Sequence, residues 1–256
     1  MTPARSRREP PRFRRVEVAR LEALSPFMTR ITLVGADLEG LEPGLPAASV
    51  RVLLPADEFE LVVPAWNGNE FLLEDGSRPI LRTLTPARFD APGLELDIAI
   101  VRHGHGPLSS WAETAAPGDH VAVSGTGRGY EIDPEARAFL LVGDESALPA
   151  IAQVLEALPR DALVRVVLEV HDRAARIELP EHPGATVRWY RLDDGALPGE
   201  ALFAAVVGAA LDPGSHVWAA GEAAAMQRIR RHLFDDRGLP RDHAVVRGYW
   251  KYGRGA

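Results

Sequence analysis

The sequence contains no cysteine, which excludes disulfide bonds, thiolate catalysis and iron–sulfur clusters held by cysteine. Lysine occurs only once, at Lys251, among 29 basic residues. No apolar run approaches the roughly 18–20 residues that cross a bilayer, so no transmembrane segment is expected. There is no G-x-G-x-x-G or P-loop motif, and Ser146 lies outside any G-x-S-x-G elbow, which argues against a serine hydrolase.

The chain does have the size and composition of a two-domain globular protein. Its 256 residues suit two domains of about 100–150 residues each, and 46% of them are hydrophobic and 25% charged. The net charge is −7, which does not favour a nucleic-acid partner. We expect a monomer.

Six arginines fall within the first fifteen residues, and we predict a basic flexible tail over residues 1–15. The alternative is an electrostatic contact of this tail with phosphate, lipid or an anionic ligand. No apolar signal region follows Arg7 and Arg8, so a cytoplasmic location is expected.

Residues 16–134 show short strand patterns separated by glycine and proline, which predict a small antiparallel β-barrel. One short helix is predicted from Pro107 to about Ala115, because proline suits a first helical turn. The predicted strands cover residues 16–21, 29–34, 49–54, 80–85, 95–101 and 120–123.

Residues 135–256 alternate between apolar strand runs and helical periodicity, which predicts an α/β domain with a parallel sheet. The predicted strands are 138–143, 163–170, 186–190, 216–220 and 243–248, and the predicted helices are 147–158, 199–208 and 223–233. A barrel followed by such a sheet leaves a crevice between two domains, where ligands commonly bind.

The segment from Arg82 to Pro86 carries the clearest ligand chemistry of the first half. An arginine forks onto phosphate, and the hydroxyls of Thr83 and Thr85 reach polar atoms of a planar cofactor. Pro86 favours extended backbone at Thr85, so Arg82 and Leu84 are predicted to share one face of the strand.

The turn from His103 to Ser110 is a second candidate anion site. A helix N-terminus together with the hydroxyls of Ser109 and Ser110 suits a pyrophosphate. His103 and His105 flank a glycine with no third ligand nearby, so no metal site is predicted there.

Two turns of the second half lie where parallel sheets bind ligands, beyond the carboxyl ends of strands. The turn at Gly143–Ala147 offers N–H groups and carboxylates that suit sugar hydroxyls. Its simpler interpretation is a helix cap made by Asp144 or Ser146, and both interpretations are compatible. The turn at Ala220–Met226 has small residues that admit a flat ring, although they are also common in packing.

The C-terminal stretch 247–254 mixes cations with aromatic side chains, which suits an anionic aromatic ligand. A tail that docks on the core is an equal alternative.

Together these motifs resemble the siderophore-interacting protein family, the FAD-dependent ferric-siderophore reductases of the ferredoxin-reductase superfamily. The resemblance extends from roughly residue 14 to 254. It rests on the segments 82–86, 106–111, 143–150, 219–223 and 248–250.

The resemblance implies a flavin-binding barrel followed by a nucleotide-binding domain, with FAD, NADPH or NADH, and a ferric siderophore as partner. In family terms Arg82 contacts the FAD phosphates and Thr85 lies at the flavin N5 edge as the catalytic position. Arg173 is a candidate contact for the 2′-phosphate of NADPH, and an ordinary surface arginine is an equal alternative. The predicted cofactor-binding residues are Arg82, Thr83, Leu84, Thr85, His103, Gly106, Pro107, Leu108, Ser109, Ser110, Gly143, Asp144, Glu145, Ser146, Ala147, Arg173, Ala220, Gly221, Glu222 and Met226. The predicted substrate-binding residues are Arg51, Arg128, Trp250 and Lys251.

Two positions depart from the family pattern. Leucine stands at position 84 and serine at position 49, where the family has tyrosine and histidine. We therefore expect FAD to bind, at most about tenfold more weakly, because an aromatic stack contributes about 0.5–1.5 kcal/mol. The alternatives to a ferric-siderophore reductase are a flavoprotein reductase of a free flavin or redox protein, and a non-catalytic siderophore-binding protein.

Overall fold

The computed structural model describes residues 12–56, 61–212 and 214–253. The predicted tail up to Pro11, and Arg254 of the C-terminal stretch, lie outside the described residues. The described chain forms a curled antiparallel sheet followed by a parallel sheet, as predicted. No helix among these residues is long and apolar enough to span a membrane.

Seven strands make the antiparallel sheet, which curls around an apolar interior. Val18, Ile31, Val52 and Ile98 are buried in this interior. The strands are β1 (Phe13–Ser25), β2 (Met28–Val34), β3 (Val50–Leu54), β6 (Ile80–Leu84), β7 (Pro86–Asp90), β8 (Glu95–Val101) and β9 (His120–Ser124), with the small hairpin β4 (Ala65–Trp66) and β5 (Phe71–Leu72) separate from them. Their order in the sheet is β6-β3-β9-β1-β2-β8-β7.

The two edge strands of the curled sheet are neighbours in sequence. β6 lies at one edge and β7 at the other, and only Thr85 separates them in the chain. We call this link the seam. The strand predicted over residues 80–85 therefore ends one residue earlier, and β7 was not predicted. Proline at position 86 is tolerated because it opens an edge strand.

The first strand begins earlier than predicted. Phe13, Arg14 and Arg15 belong to β1 and pair with β9, so they are part of the barrel and not of a flexible tail. Phe13 packs edge-on against Phe71, with ring centroids 5.2 Å apart, which gives this arginine-rich segment an apolar anchor.

The helix α1 (Pro107–Thr114) precedes β9 in the barrel. The second half of the described chain contains β10 (Ala138–Asp144), α2 (Leu148–Ala157), β11 (Leu163–Val170), β12 (Ala185–Arg191), α3 (Glu200–Val207), β13 (Ser215–Glu222), α4 (Ala223–Arg231) and β14 (Ala244–Trp250). These five strands form a parallel sheet in the order β12-β11-β10-β13-β14. The strand order reverses between β10 and β13, and such sheets bind ligands in the gap between the carboxyl ends of those two strands.

One apolar core connects the two sheets. Met28 and Ala99 of the barrel are buried in the same cluster as Ile151 of α2 and Trp218 of β13. This shared core fixes the barrel against the carboxyl ends of the parallel strands, and a cleft lies between them.

Candidate functional site

The cleft has a volume of about 1110 Å³ and is lined from both sheets. The barrel contributes the end of β6, the seam and the loop that leads into α1. The parallel sheet contributes the turn after β10, the end of β11 and the end of β14. Predicted ligand segments from both halves therefore meet at one place, with the exception of the turn at Ala220–Met226.

Arg82 forms the cationic part of the barrel wall. One of its terminal nitrogens donates to the carbonyl oxygen of Leu81 over 2.9 Å. Its Nε is buried and has no hydrogen-bond partner among the described residues. Burial lowers the pKa of Arg82, since the charged form loses water without gaining a carboxylate. An unsatisfied buried donor beside a cleft is suited to a bound phosphate.

Leu84 and Thr85 continue this wall. Leu84 is partly buried, packs against the barrel interior and lines the cleft. Thr85 is buried, and its hydroxyl lies 3.5 Å from the hydroxyl of Tyr249 at the end of β14. Thr83 lines the cleft as well and is more exposed than its neighbours.

The loop before α1 contributes fewer ligand groups than predicted. His103, His105 and Leu108 line the cleft. The hydroxyl of Ser109 is buried and accepts the N–H groups of His103 and Gly104 at 2.9 and 3.1 Å. Ser109 therefore shapes the loop, and its hydroxyl does not line the cleft.

Gly106, Pro107 and Ser110 do not line the cleft either, although Gly106 is the N-cap residue that directly precedes α1. The imidazole rings of His103 and His105 have centroids 4.3 Å apart. No group of three metal-ligating side chains occurs in the described ranges.

The turn after β10 places three polar residues at the cleft: Asp144, Glu145 and Ser146. Gly143 and Ala147 lie beneath them and are buried. A Cβ on Gly143 would stand 2.5 Å from the Cβ of Ala147, so this glycine permits the helix start to pack closely on the strand.

Glu145 is linked to the end of β11. Its Oε1 accepts both the backbone N–H and the ring Nδ1 of His171, each at 2.6 Å. This interaction raises the pKa of His171. His171 also packs edge-on against Phe27 of the barrel, with ring centroids 4.4 Å apart, and so connects the two sheets.

The turn after β13 is closed to the cleft. Ala220, Gly221, Glu222 and Met226 are buried and do not line it. Met226 packs in the apolar core under α4, and the Glu222 carboxylate accepts the N–H of Ala225 over 2.8 Å as a helix cap. These residues were predicted to contact the cofactor directly. β13 is a central strand that is packed on both faces, so these side chains do not reach the cleft.

The end of β14 forms the opposite wall with Tyr249, Trp250, Lys251 and Tyr252. The Trp250 indole donates to Asp144 Oδ2 over 2.7 Å. Burial raises the pKa of Tyr249. Of the predicted substrate residues, Trp250 and Lys251 therefore line the cleft.

Arg51, Arg128 and Arg173 are exposed and lie outside the cleft lining. Arg51 is paired with Thr83 across β3 and β6, so it is adjacent to the wall on its outer side.

The cleft lining also includes titratable residues that were not among the predicted site residues, such as Glu169, His171, Arg247 and Tyr249, of which the last two belong to the 247–254 stretch. The carboxylate of Glu169 is buried and accepts the N–H of Gly199 over 2.6 Å. Burial raises the pKa of Glu169. The rule that parallel strands present ligands at their carboxyl ends would have found Glu169 and His171, because both are at the end of β11.

Two family models match this chain. One, described as a siderophore-interacting FAD-binding domain, matches residues 17–129. The other, described as a siderophore-interacting protein, matches residues 136–253.

Individual relatives match over nearly the whole chain. A crystal structure of a siderophore utilization protein from T. fusca is 39% identical with a TM-score of 0.84, covering 96% of this chain and 95% of that one. An uncharacterized protein of Mycobacterium tuberculosis is 35% identical, over 93% of this chain and 90% of that protein. The ferric vibriobactin reductase ViuB of Vibrio cholerae is 27% identical, over 94% of this chain and 90% of the reductase.

Proposed function

This chain belongs to the siderophore-interacting protein family, and from that premise we propose that it is an FAD-dependent reductase that uses NADPH or NADH to reduce Fe(III) in a bound siderophore. The observation that carries the proposal is the buried Nε of Arg82 in the cleft wall, which has no hydrogen-bond partner among the residues that the structure describes. Reduction lowers the charge of the iron and weakens its bonds to hard oxygen ligands, so the metal is released.

The barrel side of the cleft fits FAD. Arg82 supplies a charge-assisted donor for a phosphate, and Leu84 offers an apolar surface to a ring. Thr85 is the proposed catalytic position because it holds a hydroxyl at the seam, facing Tyr249. When bound, FAD would supply the conversion of a two-electron donor into single electrons, which Fe(III) requires.

The parallel-sheet side fits a nicotinamide dinucleotide. The turn after β10 lies at the point where the strand order reverses, and Glu145 and Ser146 face the cleft there. Ser146 has a hydroxyl for polar contacts, and Pro149 at the start of α2 limits the space beside it. Arg173, which lies outside this wall, is the proposed contact for the 2′-phosphate that distinguishes NADPH from NADH.

The end of β14 is the proposed siderophore side. Trp250 presents an aromatic face and Lys251 a cation, both suited to an anionic aromatic chelate. Arg51 and Arg128 are proposed to extend this cationic surface outside the cleft.

The test begins with FAD titration of the purified protein, followed by anaerobic addition of NADPH and then of a ferric catecholate with an Fe(II)-specific dye. We expect flavin uptake, bleaching on NADPH addition and dye colour that depends on the ferric complex. Faster reoxidation by free flavin than by the ferric complex would favour a reductase of another acceptor. Bound flavin that NADPH does not bleach would favour a non-catalytic binding protein, and failure to take up FAD would reject the proposal.

A further inference from the structure

Asp144 is a buried carboxylate that no cation neutralises. It is 5% exposed, and no lysine, arginine or histidine forms a salt bridge with it within the described ranges. It accepts four hydrogen bonds instead. Oδ1 accepts the backbone N–H and the hydroxyl of Ser146, and Oδ2 accepts the backbone N–H of Glu222 at 3.0 Å and the indole N–H of Trp250 at 2.7 Å.

The two bonds to Oδ2 join three separate strand ends, whereas the two bonds to Oδ1 stay within the turn. Asp144 ends β10, Glu222 ends β13 and Trp250 ends β14. Glycine at position 221 permits these contacts, because a Cβ there would stand 2.6 Å from Asp144 Oδ2. The absence of a side chain at this position lets the carboxylate reach the next N–H and the indole.

Of the two partners on other strands, Trp250 lines the cleft and Glu222 does not, and Lys251 follows Trp250 directly in the cleft lining. We propose that Asp144 is a positioning residue that holds the Trp250 ring, and with it the neighbouring Lys251, in place for the ferric substrate. This inference rests on the proposed function, because it assigns Asp144 a part in presenting the acceptor side of the cleft.

The charge state of Asp144 is accessible to experiment. Burial raises its pKa to about 6, outweighing the hydrogen bonds from Ser146 and Trp250. Glu145 beside it on the turn raises this pKa further, and Glu222 on β13 and Tyr249 on β14 are the other titratable groups around it. His171 titrates nearby through its bond to Glu145. Protonation of Asp144 removes an acceptor lone pair and weakens the bond to the indole.

The first measurement is an NMR pH titration of the tryptophan Nε1–H signals in the FAD-loaded protein. The sequence has five tryptophans, and Trp250→Phe identifies the signal of Trp250. We expect this signal to titrate near pH 6, to stop titrating in Asp144→Asn, and to keep titrating in His171→Gln. A Trp250 signal that is flat across this range, or that titrates unchanged in Asp144→Asn, overturns the inference.

The second measurement compares steady-state kinetics with a ferric catecholate. Trp250→Phe keeps an aromatic ring but removes the N–H donor together with the five-membered part of the indole. It should raise KM for the ferric complex by up to about 150-fold, the upper effect of one hydrogen bond to a charged group. KM for NADPH and the flavin bleaching rate should stay within about twofold of the parent values. Trp189→Phe on β12, outside the cleft, is the matched control and should change neither.

Asp144→Asn combined with Trp250→Phe should be no worse in KM for the ferric complex than the more affected single variant, since both changes break the same contact. Additive losses overturn the inference. If Asp144→Asn does not fold, Trp250→Phe and its control still decide it. If the protein reduces no ferric complex at all, the proposed function fails, while the NMR titration still decides whether Asp144 holds the indole.

Discussion

The side-chain amide of Gln153 donates to the carbonyl oxygen of Pro86 over 2.8 Å, and so α2 holds the residue that follows the seam. The amide oxygen of Gln153 accepts the N–H of Ala47 over 2.8 Å. Ala47 has a φ of 57°, a left-handed conformation that is costly for alanine, and Arg247 of β14 holds its carbonyl oxygen. Side chains of α2 and β14 therefore hold two separate segments of the barrel, at Ala47 and at Pro86.

We expect Gln153→Leu to destabilise the fold by about 1–3 kcal/mol, because Pro86 and Ala47 each lose a partly buried hydrogen bond. It should also slow flavin reduction at saturating NADPH, since the seam is no longer fixed to α2. Urea unfolding and stopped-flow bleaching measure the two effects. Gln227→Leu, at an exposed position on α4, is the control and should leave both unchanged.

Arg82→Met should weaken FAD binding by about 10–150-fold, equivalent to a charge-assisted hydrogen bond of about 1.5–3 kcal/mol. Flavin titration followed by fluorescence quenching measures the dissociation constant. The control is Arg78→Met, which removes an exposed arginine paired with Glu70 on the loop before β6. Equal losses in the two variants would show that Arg82 acts through general charge and not at the cofactor.

Leu84→Tyr should tighten FAD by up to about tenfold and shift the flavin absorption bands, because an aromatic side chain adds about 0.5–1.5 kcal/mol of ring contact. Leu84→Met provides a control that keeps the apolar surface without the ring. If the tyrosine variant changes neither affinity nor spectrum, Leu84 does not face the isoalloxazine, and the proposed placement of FAD on β6 is wrong.

The bond between His171 and Glu145 should make stability depend on pH. Because the folded-state pKa of His171 is raised above 6.5, its stabilising contribution is complete below pH 6.5 and is lost as pH rises through the folded value. Glu145→Gln should lower the His171 pKa in an NMR titration of its ring. The urea midpoints of variant and parent should differ most below pH 6.5 and converge at higher pH. A difference that grows with pH would contradict this assignment.

Patterns of local sequence predicted the two-sheet architecture and most strand positions. The strands at 95–101 and 163–170 were predicted with the observed bounds, because alternation or continuous apolarity is a property of the segment itself. β7 was missed because a proline directly after a strand usually indicates an end. Here the chain passes through the seam to the opposite edge, which depends on the curvature of the whole sheet.

The candidate site was predictable only in part, for a related reason. Arg82, Thr85 and Trp250 were expected near ligands from their chemistry, and the structure brings them to one cleft. Ser109 and Met226 have equally suitable side chains and turn away from it. Whether a polar or apolar residue faces a cleft depends on which neighbours satisfy it first, and those neighbours can be far away in sequence.

The seam also sets a limit on how this chain can vary in length. A residue inserted between Leu84 and Pro86 would displace both edge strands and move Thr85 away from Tyr249. Between β3 and β6 the chain already has a long connection with a separate hairpin, and extra residues there would not alter the pairing of the seven strands. We therefore expect natural length variants of this barrel to differ in the β3–β6 connection and to keep a single residue between β6 and β7.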